Sequence, residues 1–276
     1  MRSNGPILLA LPAFRGLTRK LILFALVVFV ALFISSFILP GFPLTMAELF
    51  SLHPLRAFPL IWQFATWPFI PDSLLGLLFA LLSLWYFGSS LEDERGTRWF
   101  GELFFFSVVG GALLATILSL ILGPFAPVLS PIRATSNGLW PIVIALLLVY
   151  ARLHPDESLS FNFIFRARAK YIAAGFLLVY LIFDVLYHND FDALNAVCTA
   201  LFALFFVQIA PRKGLRHAFA ERWFGIRNAY YRSKRRRAAK KFTVYMRKQG
   251  KDVSIDESGR YLGLDDKDPT DKRHMN

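Results

Sequence analysis

In this chain of 276 residues, 55% are hydrophobic and 18% charged, and the mean hydropathy is +0.47. That is too apolar for a soluble domain of this size and places the chain among multi-span membrane proteins. A single cysteine, Cys198, excludes an intrachain disulfide and any zinc site built from several thiolates, and the net charge of +12 lies mostly after residue 211 rather than over a soluble surface.

Residues 1–20 are basic and read as a cytoplasmic N-terminus. They lead into Leu21–Leu39, an uncharged run closed by Pro40. A secretory signal has a shorter apolar region and a small-residue cleavage site, so this run reads as a retained first span. Gly41 to Asp72 is apolar and aromatic, yet Pro43, Pro54, Pro59, Pro68 and Pro71 interrupt any long helix. It reads as a loop dipping into the interface, with Trp62 and Trp67 at headgroup depth.

The second span, Ser73–Leu91, stops hard at Glu92-Asp93-Glu94-Arg95-Gly96. Its outer half, Leu74 to Ala80, carries no group that can move a proton or bind an ion. In the third span, Leu103–Gly123, the residues Gly110, Gly111, Ala112 and Ala115 would let a neighbouring helix approach closely. A proline-containing loop then precedes a short fourth span, Ser136–Ala151. The fifth span, Tyr171–Tyr187, contains Asp184, and the sixth is Ala193–Pro211. A polar loop, Arg152 to Lys170, joins the fourth and fifth. Residues 21–211 thus form a six-span membrane domain. With six spans, all of the 31 Lys and Arg except Arg56 and Arg133 fall on one side, which the positive-inside rule makes cytoplasmic together with both termini.

After the last span, residues 212–276 form a basic tail. From Arg212 to Lys251 it interleaves Trp223, Phe224, Tyr230, Tyr231, Phe242 and Tyr245 with dense Arg and Lys. Juxtamembrane cations gain about 1 kcal/mol each near anionic lipid, so an anionic lipid surface is the expected partner. Nucleic acid is not expected, because no RNA-binding motif accompanies the charge. From Asp252 onward the composition suggests disorder.

Polar residues at membrane depth are functional hypotheses by default. Near the outer ends of the spans these are Ser136, Asp184 and Asn195. Ser136, followed by Asn137 and Gly138, also fits a helix N-cap. Asp184 reads as a polar anchor, or as a partner for Asn195 or a cation. Asp190 and Asp192 add acidity, but carboxylates without histidine are a weak metal signal. Neither a metal nor a cofactor is expected. Ala196 and Ala200, four apart, suit helix packing.

This layout resembles the rhomboid family of intramembrane serine proteases. The resemblance rests on Trp62, Gln63, Thr66, Phe69 and Pro71 in the first outer loop, on Phe87-Gly88, Leu91-Glu92 and Gly96 closing the second span, and on Ser136 at the position of the family's nucleophile. The departures fall on the catalytic positions. Asn195 stands where the family has its histidine base, and an amide has no basic site near neutral pH. Gly76 and Ala80 stand where the oxyanion donors belong, and Ala134 and Asn137 replace the glycines beside the serine. His53 or His188 would have to substitute as base from an unfavourable position.

The expectation is therefore an all-α, six-span rhomboid-like bundle with a basic cytoplasmic tail. The resemblance implies a pseudoprotease that holds transmembrane segments of client proteins around Ser136, Asn195 and Asp184, with the second and fifth spans flanking a lateral opening. One alternative is a divergent intramembrane serine endopeptidase with Ser136 as nucleophile. A second is a structural membrane protein acting through its tail. The short soluble loops favour a bacterial-type cytoplasmic membrane over the endoplasmic reticulum.

Overall fold

A charge-free run surrounded by hydrocarbon can satisfy its N–H and C=O groups only along a helix or around a closed barrel. The chain uses helices. The structure, a computed structural model, describes residues 12–39, 41–71, 73–125, 134–161, 165–187, 189–210, 214–250, 254–255 and 261–262. The first span is α1 (Gly16–Ile38). The second begins as α4 (Leu74–Ser83), widens into a π-helical turn (Leu84–Gly88) and ends as α5 (Ser89–Arg95). It is followed by α6 (Thr97–Leu122), α7 (Trp140–Leu153), α8 (Ala169–Leu186) and α9 (Asp190–Ile209). Among the described residues, α1, the continuous helix Leu74–Arg95, α6, α8 and α9 are long and apolar enough to cross a membrane. The chain is an all-α polytopic membrane protein.

The fourth predicted span, α7, is the exception in length. Its 14 residues rise about 21 Å, short of a ~30 Å hydrocarbon core. It is apolar all round because it is enclosed by protein: Ile142, Ala145, Leu146 and Val149 are fully buried. It packs against α9, α8, α4 and α6. It also starts at Trp140 and not at Ser136, with Leu139 as its N-cap, so Ser136 is not the capping residue that the sequence suggested.

The outer loop is more ordered than its prolines implied. Pro43 sits in the first turn of a helix, α2 (Phe42–Phe50), where its missing N–H costs nothing. The short α3 (Gln63–Thr66) follows, and its side chains close the carbonyl end of α2. Gln63 Nε2 donates to the Leu49 carbonyl at 3.2 Å, Trp62 Nε1 to the same oxygen at 3.0 Å, and Thr66 Oγ1 to the Phe50 carbonyl at 2.9 Å. Trp67 is fully buried in protein and does not face lipid headgroups with its ring. The polar loop before α8 contains a hairpin, β1 (Ser158–Phe161) antiparallel to β2 (Phe165–Arg168).

At the opposite face, the buried carboxylate of Glu92 holds the start of α1. It accepts from Leu17 N at 2.7 Å, Thr18 N at 2.8 Å and Thr18 Oγ1 at 2.7 Å, satisfying donors that a helix N-terminus leaves without intrahelical partners. Its neighbours tie α5 to other elements: Asp93 pairs with Arg15 at 3.1 Å and Glu94 with His154 at 3.3 Å. Gly96, at φ +90°, supplies the left-handed residue that lets α5 turn straight into α6.

Residues Met1–Leu215 form one unit and Arg216–Asn276 a second. Most of the second unit's described part belongs to α10 (Gly214–Lys248), a 35-residue helix about 52 Å long. Its side chains from Trp223 onward are exposed almost throughout. Of the segment after Asp252, where disorder was expected, the described residues are β3 (Ser254–Ile255) paired antiparallel with β4 (Tyr261–Leu262); the rest lies outside them.

Candidate functional site

Ser136 sits in the extended segment that leads into α7. Its backbone pairs with Leu52 in an isolated antiparallel bridge, Leu52 N donating to Ser136 O at 2.9 Å and Ser136 N to Leu52 O at 3.0 Å. Two residues on, Gly138 takes φ +86° and donates its N–H to the Trp67 carbonyl at 3.2 Å. The outer loop thus holds the segment on both sides of Asn137. This places the Ser136 side chain in the protein interior with no exposed surface.

Around it lie three polar side chains from two helices. Ser136 Oγ donates to Asp192 Oδ1, and Asn195 Nδ2 donates to Ser136 Oγ at 2.7 Å. Tyr180, from α8, donates its hydroxyl to Asp192 Oδ2. Asp192 and Asn195 are three apart on α9 and so share a face. Their burial is nearly complete, Asp192 being 4% exposed and Asn195 not at all. Asn195 Oδ1 is buried and accepts no hydrogen bond from the described residues.

The structure therefore joins Ser136 and Asn195, as their positions suggested, but adds Asp192 and Tyr180, which sequence reasoning did not assign. Asp192, and not Asp184, is the carboxylate on Ser136. The available signal was the three-residue spacing of Asp192 and Asn195. Nothing local marked Tyr180, because its partner comes from another helix.

Asp184 instead lines a cavity of about 520 Å³ between α4, α7, α8 and the start of α9. Gly76 and Ala80 form its α4 wall, with Leu77 between them, and Tyr180, Phe183 and Asp192 lie opposite. A Cβ built on Gly76 would come 3.5 Å from Trp140 Nε1 and 2.7 Å from Ser73 Oγ. The indole of Trp140 and the α4 N-cap, Ser73, have thus closed in on the backbone there. No acidic or basic group projects from that wall.

Of the two histidines considered as a base, His188 lies outside the described residues. His53 follows Leu52 in the chain and is brought next to the Ser136 segment, but the Ser136 hydroxyl is engaged with Asp192 and Asn195. Burial holds the His53 imidazole below its ordinary 6.5; contact with the Ala134 backbone opposes this, Arg56 adds to it and Glu48 opposes it. A histidine whose folded-state pKa is depressed contributes stability that is complete above about pH 6.5 and declines as pH falls through the folded value. Thermal unfolding of His53→Gln is expected to vary less between about pH 7.5 and about pH 5.5 than that of the unmodified chain. Equal slopes would remove His53 as a source of that dependence.

A family model described as "Eukaryotic integral membrane protein (DUF1751)" matches residues 22–216, which contain α1 from its second turn onward and the whole site. The chain belongs to this family. Membership corrects the expectation of a bacterial-type cytoplasmic membrane, since the family is one of eukaryotic membranes. Short soluble loops reflect how tightly spans are connected and carry no information on which organism's membrane holds them. No curated protein matches the chain.

Proposed function

We propose that this DUF1751 member is a rhomboid-like pseudoprotease, which holds transmembrane segments of other membrane proteins in the cavity between α4 and α8. Both termini and the basic α10 lie on the cytoplasmic side, where α10 rests on anionic lipid.

The observation that carries this reading is the state of the Ser136 hydroxyl. It donates a hydrogen bond to Asp192 and accepts one from the Asn195 amide. A carboxylate is a weak base for a hydroxyl, and this one is shared with Tyr180. The wall where oxyanion donors would be needed is Gly76 and Ala80, and loss of one such donor costs on the order of 100- to 1000-fold in rate. What remains is a cavity whose lining mixes apolar side chains, such as Leu77, Leu139 and Phe183, with hydroxyl, amide and carboxylate groups. That composition suits the side chains of a helix better than a peptide bond undergoing attack.

A photocrosslinker at Leu77 or Phe183, on opposite walls, is expected to trap membrane-protein segments that the same group at lipid-facing Val27 does not. Equal capture at Val27 would overturn the reading.

The Ser136–Asp192 contact also favours a second reading, in which Asp192 is the base of a divergent intramembrane serine protease. It requires Ser136 to react with a fluorophosphonate and Ser136→Ala to abolish the labelling. The expected outcome is no labelling above that of the Ser136→Ala variant.

A further inference from the structure

Asp192 is a buried carboxyl group on the wall of a cavity. Each of its oxygens lies against one hydroxyl, that of Ser136 or that of Tyr180. No Lys, Arg or His among the described residues pairs with it. A buried charge calls for a counter-charge, and hydroxyl donors alone replace the lost water only in part. A second, independent acceptor lies beside it: Asn195 Oδ1, on a fully buried side chain, receives no hydrogen from the described residues. Asp192 faces the large cavity, whose wall also carries the Asp184 carboxylate.

Trp140 also lines a second, much smaller space of about 20 Å³, walled mainly by Phe87, Val143, Leu147, Ile172 and Phe176. In the large cavity, carboxylates beside apolar side chains match an apolar segment that carries a cation.

We infer that the cavity selects transmembrane segments carrying a lysine or arginine at the depth of Asp192, with that carboxylate as counter-ion. This rests on the client-binding reading above and names the class of client. Lysine and arginine lay their methylenes along apolar surface and deliver the charge at the tip, and Leu77 and Leu139 offer that surface. An amine-bearing lipid is the lesser fit, because its ammonium brings a phosphate with it, and that phosphate would lie against Asp184 and Asp192.

The test uses the full chain in phosphatidylcholine nanodiscs with a photocrosslinker at Phe183. Three leucine-rich transmembrane peptides differ only in one outer residue: lysine, leucine or glutamate. The lysine peptide is expected to crosslink at least roughly tenfold more than the other two, and Asp192→Asn to reduce it to their level. Equal crosslinking of the lysine and leucine peptides overturns the inference and leaves client binding standing. Crosslinking of none of the three above the Val27 control overturns both. A lysine preference that survives in Asp192→Asn removes that residue as counter-ion. Loss of the preference when phosphatidylethanolamine replaces phosphatidylcholine assigns the site to a lipid amine instead. The peptide comparison on the unmodified chain stands whether or not the variant folds.

Discussion

Replacing Glu92 by alanine is expected to free the first turn of α1 while leaving the rest of the bundle folded. Glu92 is 6% exposed and its two oxygens serve three donors, Leu17 N, Thr18 N and Thr18 Oγ1. Each buried donor left without a partner costs about 1–3 kcal/mol, so the loss is on the order of 3–5 kcal/mol once water reaches part of the space. The contact is close on both sides: a Cβ on Gly16, at φ +73°, would lie 2.0 Å from Glu92 Oε1. Few other contacts hold α1, whose buried side chains are Thr18, Leu21, Ile22 and Ala25. The effect is therefore local. Trypsin cleavage at Arg19 and Lys20 in detergent micelles should accelerate in Glu92→Ala, and less so in Glu92→Gln, which keeps an acceptor. Unchanged cleavage in Glu92→Ala would mean that the clasp does not hold α1.

The positions of the apolar helices were readable because charge is excluded from hydrocarbon, and each uncharged run became a helix with ends shifted by a few residues, five of them long enough to cross a membrane. Three of the residues singled out in the outer loop and after the second span have mechanical roles: Gln63 and Thr66 close the end of α2, and Glu92 the start of α1. What stayed hidden depends on contacts between segments far apart in the chain. Ser-Asn-Gly reads locally as a cap, and the pairing of Ser136 with Leu52 and of Gly138 with the Trp67 carbonyl keeps it extended. Trp67 looks locally like an interfacial anchor, but its side chain is fully buried and its carbonyl accepts from Gly138 N. Asp192 looked like one more acid at a helix start, since its hydroxyl partners come from the approach to α7 and from α8. Two misses were local. Proline is tolerated in a first turn, as in α2, and the alternation in Ser158–Phe161 and Phe165–Arg168 has the period of strands.

Gly111→Val is expected to disrupt the bundle at its centre and to disable the site from a distance. The third span was expected to admit a close neighbour at Gly110 and Gly111, and that neighbour is α9. A Cβ on Gly111 would stand 2.5 Å from Thr199 Cα and 2.7 Å from its amide nitrogen. Those are backbone atoms and cannot rotate away. At Gly110 the obstacle is the ring of Phe202, a side chain that can move, so Gly110→Ala should cost less. Overpacking of this kind costs typically about 1–3 kcal/mol for small additions, and valine adds more than alanine. Relief requires α9 to move off α6, and α9 carries both Asp192 and Asn195. A displacement of roughly 1 Å is enough to break the 2.7 Å contact between Asn195 and Ser136, because hydrogen bonds weaken steeply beyond about 3.5 Å. Gly111→Ala and Gly111→Val should therefore lower the melting temperature in that order and also reduce crosslinking from Phe183, although neither touches the cavity. Gly175→Ala, on α8 with nothing within 4 Å of the added carbon, is the matched control and should be neutral or stabilising by up to about 1 kcal/mol. If Gly111→Ala melts like Gly175→Ala, α6 and α9 are not in the close contact from which the site takes its geometry.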